Sequence, residues 1–288
     1  MKNLLLWVMT ACLSIVLALS ACQMEESEEI LEEPTSAFSG EGSSGPEMAV
    51  AQVNPYDSVG MLHNSLVTYV LERVDDSSGE LDSQLEEFTF TFLDSIGLNY
   101  DQDKAIATFA SIQSNSGSLN SVNWRENQFG RINDLELSDE AKGFFMKMLE
   151  AIDSFDYSNP NNSPFIDITE LEIEINSSSI IEEEKVLLLM GCSYVRWSSY
   201  LWYSVYHGRE LEGFNTGLYP INKAKWCWQC TVSEDLTTGL EAGVLAVVGA
   251  AVTGVGSTFI PLFGGATFLI AGGYASVNDF IDQYYVDG

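Results

Sequence analysis

Between Glu241 and Asp279 the chain carries no charged residue, and small side chains recur there at four-residue spacing. Ala242 to Ile260 forms one apolar arm, Pro261 a break, and Leu262 to Val277 a second arm. Gly239 and Gly243 lie four apart, as do Ala242, Ala246, Ala250 and Gly254, and the pair Ala271 and Ala275. On a helix such residues share a face and let a second backbone come close. Nineteen helical residues rise about 28 Å, close to the hydrocarbon thickness of a bilayer. In water each helical glycine costs about 1 kcal/mol relative to alanine, so these arms need a tight partner. A helical hairpin is expected, with Gly243, Gly249, Gly254, Gly265, Gly272 and Gly273 permitting the close approach. Three partners are open to it: lipid, the rest of the fold, or a second copy.

Upstream, the apolar residues follow a helical period. Asn54-Pro55-Tyr56-Asp57 reads as a turn and N-cap for a helix from Ser58 to about Val74, with Val59, Leu62, Leu66, Val70 and Val74 inward. Leu81, Leu85, Phe88, Phe92 and Ile96 predict a second helix stopped by Gly97, although Glu87 to Phe92 also alternates like a strand. Ala105, Ile106, Phe109 and Ile112 predict a third, ending near Gly117, and Ser118 to Leu137 reads as loop with short helical turns. Ser138 caps a fourth, whose inner face is Phe144, Phe145, Met148, Leu149, Ile152 and Phe155. Ile168, Leu171 and Ile175 suit a fifth. Ser179 and Glu182 have capping-box spacing at the start of a sixth, running from about Ile180 to Tyr206. Val186 to Tyr206 is long enough to span a bilayer, but Arg196, the scattered serines and the aromatics favour a central helix of an all-α domain. The fold class read from these patterns is all-α: about six helices plus the C-terminal hairpin.

The N-terminus carries an address. Lys2 and Asn3 precede the apolar run Leu4 to Leu19, interrupted only by Thr10 and Ser14, and small residues follow. That is a secretory signal, too short to be kept as a spanning helix. The ending Leu19-Ser20-Ala21-Cys22 resembles the lipobox of bacterial lipoproteins, which implies that Cys22 is lipidated and becomes the first mature residue. An ordinary cleaved signal followed by a chance cysteine is the other reading. Gln23 to Glu47 then holds eight glutamates and no Lys or Arg, a composition that stays solvated and extended as a tether. Its run Glu25-Glu26-Ser27-Glu28-Glu29 resembles the export signal of surface lipoproteins in the Bacteroidota, against a plain acidic tether. Gln23 beside the anchor fits delivery to the outer membrane. The domain plan is therefore 1–21 signal, 22–49 lipidated cysteine and tether, 50–207 all-α domain, 208–235 linker with a CxxC, and 236–288 hairpin.

Charge and chemistry narrow the function. Forty-two acidic residues against twelve basic ones leave a net charge of −30, which repels phosphate backbones and excludes a nucleic-acid partner. The only histidines are His63 and His207, which read as a core-edge residue and a helix C-terminal cation. Beyond the signal and Cys22, the cysteines are Cys192, Cys227 and Cys230. Trp226-Cys227-Trp228-Gln229-Cys230 superficially resembles the thioredoxin Trp-Cys-x-x-Cys motif, which needs a preceding strand and a helix opening at the first cysteine. No β-pattern precedes it here, so a local disulfide between Cys227 and Cys230, or plain packing, is expected. No nucleophile elbow, phosphate loop, dinucleotide fingerprint or metal motif is present, and no catalytic residue, cofactor or metal is assigned.

The C-terminal arms resemble the glycine-zipper hairpins of membrane-inserting peptides, including some bacteriocins. That resemblance covers only the last stretch of the chain, and it implies a non-enzymatic, membrane-interacting lipoprotein acting through Ala242 to Val277. Its partners would be the membrane, through the Cys22 lipid and this hairpin, together with a protein partner or a second copy. The alternative is a surface interaction lipoprotein whose hairpin is buried core or an oligomer interface. Membrane-active peptides are usually cationic, and this chain is the reverse.

Overall fold

A computed structural model describes residues 54–74, 81–98, 123–154, 164–208, 226–253 and 260–285, together with Tyr100, Asp103, Ile106 and Ala107. Side chains of the last two helices are described over 228–246 and 267–281. The described residues belong to one unit, Ala49–Gly288, and form eight helices with no strand among them. They are α1 (Asp57–Leu71), α2 (Leu81–Ser95), α3 (Trp124–Asp134), α4 (Asp139–Asp153), α5 (Pro164–Ser177), α6 (Glu182–His207), α7 (Trp228–Thr253) and α8 (Ile260–Tyr285). The fold is all-α, as the periodicity predicts. Of the expected helix around Ala105 to Gly117 only Ile106 and Ala107 are described, and both are helical; its remaining residues, the signal, Cys22 and the tether lie outside the described residues.

The inner face of α4 is the one the sequence spells out: Phe144, Phe145, Met148, Leu149 and Ile152 are buried, and the Ser138 hydroxyl accepts from the Ala141 amide at 3.2 Å. Glu87 to Phe92 is helical in α2, and Phe90 and Phe92 are both buried. At the end of α2, Gly97 takes φ +68° and the Leu98 amide reaches back to the Leu93 carbonyl at 3.1 Å, a left-handed helix stop that glycine permits. In α1 the buried stripe is turned toward His63 and Val67, leaving Val59 and Leu62 half-buried.

Three local expectations are corrected. The stretch Ser118 to Leu137 contains α3, an eleven-residue helix rather than short turns. Its buried stripe is Trp124, Gln128 and Ile132, and the glutamine at its centre hides the period from hydropathy. The capping box at Ser179 does not form: α6 starts at Glu182 after Ile181, with no side-chain cap. Glu184 instead crosses to α4, where its carboxylate oxygens accept from the Ser138 amide and hydroxyl, each at 2.6 Å. One serine thus caps α4 while a glutamate from α6 completes its hydrogen bonds. Finally, the hairpin is longer and begins earlier than the apolar arms: α7 starts at Trp228, and Pro261 sits in the first turn of α8, where a missing N–H costs nothing.

The core is organised around α6, which packs on α1, α4, α5, α7 and α8 and is buried over most of its length. α7 runs along α8 in the most extensive helix pair of the fold. The hairpin glycines are where large side chains enter. A Cβ on Gly239 would lie 2.5 Å from the Phe268 ring, and one on Gly243 would lie 2.8 Å from Leu187 and 3.2 Å from Phe268. A Cβ on Gly272 would lie 2.5 Å from the Tyr194 ring and 3.0 Å from the Asp235 carbonyl oxygen, and one on Gly273 would lie 2.6 Å from Leu66. Their small faces are therefore covered by α1, by α6 and by each other. Gly249 and Gly265 fall on the backbone-only parts of α7 and α8, and Gly254 lies outside the described residues. Among the described residues no helix is long and apolar enough to cross a membrane.

Two alanine substitutions separate packing from propensity. Gly272→Ala drives a methyl into Tyr194 and a backbone carbonyl and should destabilise the fold by about 1–3 kcal/mol. Gly143→Ala, on an exposed stretch of α4 where a Cβ would meet nothing within 4 Å, should stabilise it by up to about 1 kcal/mol. Thermal unfolding followed by circular dichroism reads both, and equal melting temperatures for the two variants would contradict the packing described.

Candidate functional site

Four helices meet at a buried carboxyl group. Asp235 lies on the second turn of α7, inside a run from Thr231 to Leu240 that is buried throughout. Its Oδ2 accepts from the Ser198 hydroxyl at 2.5 Å, from the Ser276 hydroxyl at 2.8 Å and from the Trp202 indole at 3.3 Å. Trp202 also donates to Ser276 Oγ at 2.8 Å, so indole, hydroxyl and carboxyl form a closed ring between α6, α7 and α8. From α1, His63 Nε2 approaches Oδ2 to 3.4 Å but outside hydrogen-bonding geometry, and Oδ1 has no partner. His63 packs edge-on against Tyr194, with ring centroids 4.4 Å apart. The Tyr194 hydroxyl donates to the Phe268 and Leu269 carbonyls of α8.

Burial decides the protonation of this cluster. It pushes the Asp235 carboxyl well above the usual carboxylate range, although three hydrogen bonds oppose the shift. It also lowers His63 to about 3, so the imidazole is neutral. A neutral acid carries its proton naturally on Oδ1, since Oδ2 already accepts three hydrogen bonds. Burial thus works against the charged form of both groups, and neither is exposed to solvent. His63 is not at the core edge, as its place in the sequence implies, but at the centre. Sequence reasoning missed Asp235 altogether, because a lone acid at the margin of a polar segment carries no periodic signal.

Two ion-pair nodes flank it. Arg196 of α6 donates to Asp57 and, at 2.8 Å, to Glu172, while Asn54 donates to Glu172 at 2.6 Å and to the Leu189 carbonyl at 2.8 Å. The Trp197 indole also donates to Asp57, at 3.1 Å. Nearby, the Ser193 hydroxyl donates to the Asp57 carbonyl and accepts from the Gly60 amide, so α6 satisfies backbone groups at the start of α1. Burial raises the Glu172 carboxyl, an effect that Arg196 and Asn54 oppose. On the other side, Arg131 of α3 binds Glu241 through two nitrogens at 2.7–2.8 Å and both oxygens of Glu234 at 2.7 Å. Burial works against this guanidinium, but Glu241 and Glu234 outweigh it and hold the charge firmly.

The residues singled out in the sequence are not gathered at one place. Cys227 and Cys230 are joined by a disulfide at the start of α7. Cys192 is a free, buried thiol whose burial raises its pKa well above the ordinary value. His207 stacks on Tyr203, with centroids 4.0 Å apart, at the far end of α6. Among the described residues no group of three or more His, Cys, Asp and Glu side chains is placed to hold a metal ion. No family model matches the chain, and no curated protein or solved structure matches it.

Substitutions at the two buried nodes should behave differently. Asp235→Asn keeps an acceptor for Ser198 and Ser276 and should cost little at pH 7, whereas Asp235→Leu strands three donors at about 1–3 kcal/mol each. The pH dependence follows from signs. Asp235, raised in the fold, adds stability as pH falls toward its unfolded value, while His63, lowered in the fold, removes stability as pH falls from about 6.5 toward 3. Asp235→Asn leaves only the His63 effect, so its melting temperature should drop more steeply between pH 7 and 4 than that of the native chain. At the other node, Arg196→Met uncovers Glu172 and Asp57 and should cost about 3–5 kcal/mol, with Glu172→Gln in the same chain recovering part of it. Denaturant titration measures this, and an unchanged midpoint for Arg196→Met would refute the node.

Proposed function

We propose that this chain is an exported, lipid-anchored helical module that acts by binding and not by acid–base catalysis, with its C-terminal hairpin built into its own core. One observation carries the reading: Leu66, Leu187, Tyr194 and Phe268 fill the space at Gly273, Gly243, Gly272 and Gly239. A hairpin leaving for a bilayer would uncover three of these, Leu66, Leu187 and Tyr194, and break the hydrogen bonds that join Asp235 to α6. The absence of acid–base catalysis is argued from the same interior. His63 and Asp235 are the groups best suited to proton transfer, and both are fully buried and neutral. The anchor is Cys22 in its lipobox-like setting, and the glutamate-rich tether holds the body away from the membrane. With a net charge of −30, the partner chemistry that fits is a basic protein surface, bound with strong salt dependence.

A second reading, insertion of Ala242 to Val277 into a bilayer, is favoured by Leu245, which stands 69% exposed within the uncharged stretch. Dye release from liposomes separates the two. The chain lacking residues 1–22 should release no dye, and Gly272→Leu should lower its melting temperature without any membrane activity to lose. Dye release by the native chain, abolished in a still-folded Gly272→Leu variant, would replace the binding module with a membrane-active antagonist. Cys22→Ser should move the full-length protein from the membrane to the soluble fraction, and continued membrane association would remove the lipid anchor from the proposal.

A further inference from the structure

We propose that Cys227 and Cys230 form a redox-active pair that oxidises a dithiol substrate through attack on Cys227 Sγ. The proposal is independent of the binding role above. Its basis is the way the pair sits on α7. The Cys227 carbonyl accepts from the Cys230 amide at 3.0 Å and the Thr231 amide at 3.2 Å, which makes Cys227 the residue capping a 26-residue helix. The Cys230 amide also points at Cys227 Sγ, 3.2 Å away. A thiolate at this sulfur therefore rests on a helix N-terminus and a directed N–H, the setting that stabilises the reduced form of a disulfide.

The two sulfurs are not equivalent. Cys230 is wholly buried, whereas Cys227 is half-buried, so an incoming thiolate has one sulfur to attack. Around Cys227 stand Trp226 and Trp228, which lean on Tyr206 and Tyr203 of α6 at centroid distances of 5.8 and 6.1 Å. Both indoles are buried and belong to the core, so they hold the start of α7 and its disulfide in place against α6. The ionisable groups packed near this end are Asp279 of α8, which accepts from Thr231 at 2.6 Å, and His207 of α6, stacked on Tyr203. A purely structural role is a poor account of the pair. It closes a loop of three residues' separation over a turn that the helix already fixes, so it removes little entropy from the unfolded chain. The sequence sets the motif apart from the thioredoxin pattern because no β-pattern precedes it; the helix that the pattern also needs begins at Trp228, in an all-helical setting.

The exchange balances without any other cofactor. A substrate thiolate attacks Cys227 Sγ, the Cys227–Cys230 bond breaks, and Cys230 leaves as a thiolate and takes up a proton. The second substrate thiolate then attacks its own sulfur in the mixed disulfide and expels Cys227 as a thiolate. The substrate departs as a disulfide, having given two electrons to the pair. A low-molecular-weight disulfide returns Cys227 and Cys230 to the oxidised state by the reverse sequence.

Glutathione redox buffers test this on the full chain. The native pair should become partly reduced in excess reduced glutathione with an unchanged circular dichroism spectrum. After reduction, alkylation mapped by mass spectrometry should mark Cys227 at least about tenfold faster than Cys230 at pH 7. Cys230→Ser should capture one glutathione at Cys227 from oxidised glutathione, and Cys227→Ser should capture none. A pair that stays oxidised until the protein is denatured, or two reduced sulfurs alkylated at equal rates, overturns the proposal. The alkylation measurement uses the native sequence and so stands even where a cysteine variant fails to fold.

Discussion

Asp235 accepts three hydrogen bonds from two neighbouring helices, beside a neutral histidine from a third, in a place that water does not reach. Ionised, it would be a buried charge without a counterion, and its environment answers by keeping the proton. The position of α7 follows from that constraint. Only with α6 and α8 closed around it are the Ser198, Ser276 and Trp202 donors satisfied. Only with Gly272 facing Tyr194 can α8 come near enough for Ser276 to reach. The glycine contacts of the hairpin and the polar ring are two views of one fit.

α6 carries the polar residues that the other helices read. Ser193, Arg196 and Trp197 address the start of α1, Arg196 also reaches Glu172 of α5, and Ser198 and Trp202 address α7 and α8. Such polar groups stabilise a fold little when satisfied and cost much when stranded. Their effect is to fix rotation and register in helices whose apolar surfaces alone would pack in several ways. This is how an all-helical interior rich in serine, threonine and buried acids acquires one arrangement.

The apolar stripes of α2, α4, α5 and α6 were legible in the sequence because hydrophobic residues dominate their buried faces, even where Thr89, Glu172 or Arg196 is buried among them. α3 was not, since Gln128 occupies the middle of its stripe and bonds Glu234 from α7. The start of α7 escaped for the same reason: Thr231, Ser233, Glu234, Asp235, Thr237 and Thr238 are buried, yet by hydropathy they read as linker. Arg196 was visible as a misfit in an apolar helix, but its partners Asp57 and Glu172 lie 139 and 24 residues away. The hairpin glycines announced a close approach; which side chains make it depends on residues far upstream.

The clasps that close this interior join distant parts of the chain. Asn54 meets Glu172 across 118 residues, Gln128 meets Glu234 across 106, and Tyr274 meets Asp82 across 192. Helical bundles usually fold quickly because their contacts are local, and loops this long slow the search. Here the α1–α6 half has a buried His63 whose surroundings are incomplete until α7 and α8, which follow it in the chain, are in place. The N-terminal helices emerge first yet cannot close their polar centre alone. The polar centre is thus completed only when the last two helices have been made.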